Sequence, residues 1–166
     1  MSQSEPHQQV TINVSINGTA YEDTIPARTL LSEYLREYKY LTGAHRGCET
    51  AKCGACTVLL DGDAVKSCNV LAVQADGGEL TTIEGLNEGD DLSPVQESFL
   101  ENHGMQCGYC TPGMVLSSKA LLEENPDPSV NEIREGLAGN ICRCTGYAKI
   151  VESVQEAAPA FQENDE

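Results

Sequence analysis

The eight cysteines of this chain fall into two sets of four, and each spacing suits metal capture. Cys48, Cys53, Cys56 and Cys68 lie in GCETAKCGACTVLLDGDAVKSC as C-x4-C-x2-C-x11-C. This is the plant-type spacing, in which four thiolates hold a 2Fe–2S cluster. Cys107 and Cys110 in MQCGYC pair with the distant Cys142 and Cys144 in ICRCTGY, giving four more thiolates from two segments. The chemistry to expect is electron transfer through two iron–sulfur clusters.

Disulfides and zinc are the rivals. A disulfide scaffold belongs to exported proteins. The start MSQSEPHQQV has neither a basic n-region nor an apolar h-region, so export is not expected. Zinc competes better, since four-cysteine sites with C-x2-C pairs are common structural zinc sites. The first set fits zinc poorly, because three cysteines share the nine-residue loop 48–56 and do not form two close pairs. Gly47 and Gly54 let that loop curl and aim N–H groups inward, as cluster sulfurs require. The second set suits a cluster or zinc equally.

At 166 residues the chain holds one or two small domains. It is too short for a flavin domain or a large active-site domain as well, so substrate chemistry is expected on another chain. No apolar run reaches the length of a membrane span. Acidic residues outnumber basic ones 26 to 10, for a net charge of −16. That balance excludes a nucleic-acid binder. It suits a plain self-repelling surface, or a salt-rich cytoplasm in which screening shortens to a few ångströms. On the second reading the unfolding midpoint rises between low and molar salt; an unchanged midpoint rejects it.

The elements that must position the cysteines change character midway. VTINVSI (10–16) alternates apolar and polar residues like a half-buried strand, Asn17-Gly18 is a strong hairpin turn, and TAYEDTI returns. TLLSEYLREYKYL (29–41) reads as a helix with Leu30, Leu31, Tyr34, Leu35 and Tyr38 on its core face. After the cysteine loop comes a hairpin turned at Asp61-Gly62-Asp63, a short strand or turn at Val70 to Val73, and the strand ELTTI. This half is a small α+β domain.

EGLNEGDDLSP reads as a linker. Beyond it four helices are expected, forming a bundle. One follows the capping box Ser93-Pro94-Val95-Gln96, and one runs from Thr111-Pro112 to about Glu124. A third follows the capping box Ser129-Val130-Asn131-Glu132 through about Ala138, and the last spans YAKIVESVQEAAPAF. The domains are therefore 8–84 and 93–160, joined by 85–92, with a frayed tail QENDE. On this map Cys110 and Cys144 each stand just before a helix start, where unpaired N–H groups and the helix dipole favour thiolates.

The runs GCETAKCGACTV, MQCGYCTPGM and GNICRCTGY closely resemble the iron–sulfur small subunit of the molybdenum hydroxylases. This family includes xanthine dehydrogenases, aldehyde oxidoreductases and aerobic carbon monoxide dehydrogenases. The likeness spans about residues 9–158, with all eight cysteine positions in register. It implies an N-terminal plant-ferredoxin-like (β-grasp) domain and a C-terminal four-helix bundle, each holding a 2Fe–2S cluster. It also implies two partner chains, a large molybdopterin-binding subunit and a medium FAD-binding subunit. Electrons would leave the Mo–pterin through the cluster on Cys107, Cys110, Cys142 and Cys144. The cluster on Cys48, Cys53, Cys56 and Cys68 would then pass them to FAD. Gln106 and Cys144 match the family's residues nearest the pterin. The free-standing length looks most like the carbon monoxide dehydrogenase type; with no export signal in the sequence, a cytoplasmic location is expected.

Bland roles stand beside these. Gln106 also suits a turn cap, Arg143 a solvent-facing charge, and His7 and His103 the surface. His45 is not needed as a ligand where four cysteines are present, and Met105 and Met114 suit packing near a cluster. An independent two-cluster ferredoxin and a zinc-stabilised module remain the alternative functions.

Overall fold

A computed structural model describes residues 8–87, 89 and 91–162. The sequence expectations for His7 and for residues 163–166 of the tail lie outside them. Strand β1 (Gln9–Ile16) buries Ile12, Val14 and Ile16 and exposes Thr11 and Asn13, as its alternation requires. It pairs antiparallel with β2 (Thr19–Pro26), in a register that sets Ile16 opposite Thr19. Asn17 and Gly18 both have positive φ, 51° and 76°, the two-residue turn whose twist matches the strands.

The helix expected over 29–41 is shorter and of two kinds. Segment α1 covers Leu31–Glu33 and continues as a π-helical turn over Tyr34–Tyr38, with Lys39 N–H donating to Tyr34 O. The wider turn keeps Leu31, Tyr34 and Leu35 in the core and leaves Tyr38 exposed. It also lets the Tyr34 hydroxyl donate to Asp23 Oδ2 at 2.7 Å while Lys39 pairs with the same carboxylate. Burial and the Asp23 hydrogen bond raise the Tyr34 pKa far above the usual tyrosine range.

Strands β3 (Thr57–Leu60) and β4 (Asp63–Lys66) form a hairpin turned by Asp61 and Gly62 alone, and Asp63 already belongs to the strand. The region around Val70 to Val73 holds two 3-10 turns, Ser67–Asn69 and Ala72–Ala75. ELTTI forms strand only over Glu79–Thr81 (β5), after which Ile83–Gly85 is another 3-10 turn. The sheet order is β2-β1-β5-β3-β4, with β1 and β5 parallel and the other pairs antiparallel.

The helical half comprises α2 (Pro94–Glu101), α3 (Thr111–Glu124), α4 (Val130–Gly136), α5 (Ala148–Ala157) and the short α6 (Pro159–Gln162). These are five helical segments among the described residues, where the sequence suggested four. Pro159 has no N–H to continue α5, so the chain restarts there. Both capping boxes form: Gln96 Oε1 accepts from Ser93 N–H at 3.0 Å, and Glu132 Oε2 accepts from Ser129 N–H at 2.8 Å.

Strand β3 joins the two halves physically. Successive side chains point to opposite faces. Val58 packs with Ile12, Leu35 and Leu80 in one core, while Leu59 packs with Phe99, Met114, Leu116 and Ile150 in the other. Leu86, inside the expected linker, is buried in the second core, so that stretch is not a free spacer.

Candidate metal centres

The first cysteine set sits on the long loop before β3 and on the hairpin that β3 begins. Glu49, Ala51 and Gly54 all have positive φ, 54°, 57° and 73°. For the two residues with side chains this conformation costs about 1–2 kcal/mol each. The backbone turned this way sends Thr50 N–H and Cys53 N–H to Cys48 Sγ, both at 3.4 Å. The β3–β4 register, Thr57 opposite Lys66, brings Cys56 alongside Ser67, whose hydroxyl donates to Cys56 O at 2.7 Å. Cys68 follows, buried like Cys56. Local hairpin geometry thus closes half of the set.

In the second set Cys110 is the N-cap of α3, as the sequence suggested. Cys144 is not at a helix start: α5 begins at Ala148, after Tyr147 in the left-handed region at φ 69°. The C-x-C segment is held by side chains instead. Cys142 N–H donates to the Tyr147 hydroxyl at 2.9 Å, and the Thr145 hydroxyl reaches Cys142 Sγ at 3.3 Å. Cys144 Sγ lies 3.6 Å from Cys107 Sγ. That separation is well beyond the ~2.05 Å of a disulfide, and all eight cysteines are free.

Hydrogen bonds and burial sort the thiols. Hydrogen bonds from Thr50, through its hydroxyl and its N–H, and from Cys53 N–H pull the Cys48 thiol down to about 6. The Tyr109 backbone lowers Cys107. Burial raises Cys142, but the Thr145 bonds outweigh it and the net shift is downward. Burial pushes Cys56 up to about 11 and, with Cys142 beside it, Cys110 up to about 12. Apo chain at pH 7.5 should therefore alkylate at Cys48 well before Cys56 or Cys110. Lowering the pH through 6 should slow Cys48 by returning its thiolate to the thiol. Peptide mapping after brief iodoacetamide treatment checks this, and equal labelling of the three would contradict it.

Among the described residues, no three Cys, His, Asp or Glu side chains converge on one ion. A 2Fe–2S cluster spreads its four thiolates over two irons, so it needs no single point of convergence. Two buried side-chain atoms beside the thiol sets, Arg46 Nε and Thr111 Oγ1, have no hydrogen-bond partner. Both carry N–H or O–H donors of the kind that bridging sulfides accept.

The two sets are tied together by residues that sequence reasoning missed. Asn140 Nδ2 donates to Gly54 O at 3.2 Å, and Asn140 Oδ1 accepts from Lys66 Nζ at 2.9 Å and from the Ser117 hydroxyl at 3.0 Å. Ile141 N–H donates to Cys53 O at 2.8 Å, so one backbone hydrogen bond joins a first-set cysteine to the neighbour of Cys142. Tyr109, between Cys107 and Cys110, stacks on His45 with ring centroids 4.8 Å apart, and its hydroxyl donates to Arg46 O. His45 Nδ1 lies 2.8 Å from Tyr109 O, so that histidine bridges the first loop and the second cysteine pair. Tyr109 was visible inside the C-x2-C motif; nothing in periodicity marks Asn140.

Gln106, Cys107, Arg143 and Cys144 are exposed, whereas Met114 is fully buried and Met105 partly so. No helix of the described residues is long and apolar enough to cross a membrane.

Comparison with known proteins agrees with this geometry. Residues 14–82 match the domain family described as a 2Fe-2S iron-sulfur cluster binding domain. Residues 82–155 match the one described as a [2Fe-2S] binding domain. The chain is 48% identical over 157 residues to the nicotine 6-hydroxylase small subunit of Paenarthrobacter nicotinovorans, covering 95% of this chain and 94% of that one. It is 47% identical over 149 residues to the nicotinate dehydrogenase small FeS subunit of Eubacterium barkeri, covering 90% and 95%. A chain in the crystal structure of quinoline 2-oxidoreductase from Pseudomonas putida 86 superposes with a TM-score of 0.91 at 42% identity, over 96% of this chain and 99% of that one. With both cluster-binding domains matched in order and relatives aligned nearly end to end, the chain belongs to the two-cluster 2Fe–2S small subunits of the molybdenum hydroxylases.

Proposed function

We propose that this chain is the electron relay of a three-part molybdenum hydroxylase, with Cys48, Cys53, Cys56 and Cys68 holding one 2Fe–2S cluster and Cys107, Cys110, Cys142 and Cys144 the other. When bound, the clusters take up and release single electrons, and so link a Mo–pterin centre on a large subunit to FAD on a medium one. The hydrogen bond from Ile141 N–H to Cys53 O carries this reading, because it joins a cysteine of the first set to the neighbour of a cysteine of the second. The protein's part is to hold distance and tune potential, while the redox chemistry is the cofactor's. Thr50 and Cys53 N–H groups compensate thiolate charge at Cys48, and Thr145 does so at Cys142.

Gln106 and Cys144 form the entry point for electrons from the pterin; their exposure leaves them open to a docked partner. The working units are 8–84 and 93–160 joined by 85–92, the second being a four-helix bundle of α2–α5. The eight free thiols suit a reducing cytoplasm. The relatives named above act, by their names, on nicotine, nicotinate and quinoline, and carbon monoxide dehydrogenase is not among them. On that ground the substrate class of the holoenzyme is an N-heterocycle, with an aldehyde as the alternative, since aldehyde oxidoreductase chains are 41–42% identical to the chain as well.

Gentle affinity purification of the tagged chain from its own host, with metal and flavin analysis, tests the reading. Two larger chains bringing molybdenum and FAD, with two distinct paramagnetic signals after dithionite, are expected. A single chain with iron and sulfide but no molybdenum would leave an independent ferredoxin instead. A colourless preparation holding zinc would end the cluster assignment.

A further inference from the structure

The end of β4 puts a cation between the two halves of the molecule. Lys66 Nζ donates to Thr57 Oγ1 at 2.8 Å and to Asn140 Oδ1 at 2.9 Å, both neutral acceptors. Among the described residues, the ion pairs involve Lys39, Arg46, Lys119 and Lys149, and not Lys66. Asp61, Asp63, Glu123 and Glu124 line the same open cleft as Lys66, yet none forms an ion pair with it. Arg46, by contrast, reaches the first loop already paired with Glu49 at 2.6 Å.

The β3–β4 register sets Lys66 opposite Thr57, the neighbour of Cys56, and the chain reaches Cys68 two residues later, so the ammonium sits among residues of the first cysteine set. Its two hydrogen bonds fix the ammonium, since Thr57 and Asn140 are themselves buried and bonded to Gly54 O. A reduced cluster carries one more negative charge than an oxidised one, so a fixed, uncompensated cation nearby favours the reduced form. The effect fades with distance and grows in a low-dielectric setting.

We infer that Lys66 raises the reduction potential of the cluster on Cys48, Cys53, Cys56 and Cys68 relative to that of the other cluster, biasing an electron on this chain toward the flavin side. Lys66 is thus a positioning charge for the relay. The inference rests on the ligand assignment proposed above.

The test is a redox titration of the assembled complex, followed by the paramagnetic signals of the two clusters. Lys66→Met and Lys66→Gln should each lower the reduced-to-oxidised ratio of the first cluster about tenfold at a fixed poise, a shift of ~59 mV for one electron. The second cluster should move much less, and Lys66→Arg should restore the wild-type order. An unmoved first cluster, or equal shifts in both, overturns the inference. So does loss of the first cluster's iron in both neutral variants with Lys66→Arg fully loaded, which would make Lys66 an assembly residue. Failure of the underlying assignment looks different: the wild-type complex would then lack two distinct signals.

Discussion

Cys142→Ser is expected to erase the second cluster and leave the first intact. The complex should lose about half of its iron on this chain, since each 2Fe–2S site holds two irons. Only one of the two paramagnetic signals should survive dithionite reduction. Serine is nearly isosteric with cysteine, and the Cys142 N–H bond to the Tyr147 hydroxyl needs only the backbone. What disappears is the thiolate that Thr145 stabilises at 3.3 Å, and an alcohol does not ionise to replace it. Disturbing outer partners of a metal ligand costs roughly 10–100-fold, so removal of a ligand should cut substrate-driven flavin reduction by at least about 100-fold. Substrate binding on the large subunit should be unaffected. Iron analysis with electron paramagnetic resonance checks the outcome; two surviving signals would remove Cys142 from the ligand set.

The cysteine loop 48–56 and the two close pairs stood out as candidate ligands because spacing within each is a local property of the chain. Equally local are the Asn17-Gly18 turn, whose two positive φ values follow from its residue types, and the capping boxes at Ser93 and Ser129. What escaped reading depends on partners distant in sequence. The π-helical turn at Tyr34–Tyr38 answers to Asp23 on β2, which no helical periodicity records. Leu59 reads as one residue of a strand, yet it belongs to the core of the helical half because β3 is covered on both faces. Thr145 and Gly146 looked like a helix start, but the Thr145 hydroxyl is engaged by Cys142 Sγ and Tyr147 N–H, which postpones α5 to Ala148. Asn140 draws its meaning from Gly54, 86 residues away.

The junction around Gly54 yields the second large effect. Gly54 has φ +73°, and a Cβ there would stand 2.4 Å from Gly139 O and 2.7 Å from Asn140 Cγ. From the other side, a Cβ on Gly113 would stand 2.1 Å from Gly54 O. The first loop thus packs backbone to backbone on α3 and on the Gly139–Asn140 segment, and the one side chain in the contact, Asn140, is held in place by its hydrogen bonds to Gly54 O, Lys66 and Ser117. Gly54→Ala is therefore expected to destabilise the cluster-loaded chain by about 3–5 kcal/mol, combining left-handed strain with a steric clash. At 2–4 °C per kcal/mol for a chain of this size, Tm should fall by roughly 10 °C. Gly18 separates the two causes. Its φ is +76° but a Cβ there meets nothing within 4 Å, so Gly18→Ala should cost only about 1 kcal/mol. The clash at Gly54 also pushes against Asn140 and the neighbouring Ile141 N–H to Cys53 O bond, so transfer between the two clusters should slow in Gly54→Ala and stay unchanged in Gly18→Ala. Thermal unfolding of both variants beside rapid-mixing flavin reduction decides it. Equal losses at the two glycines would mean that conformational strain alone matters and that the junction is not the tight contact on which the relay depends.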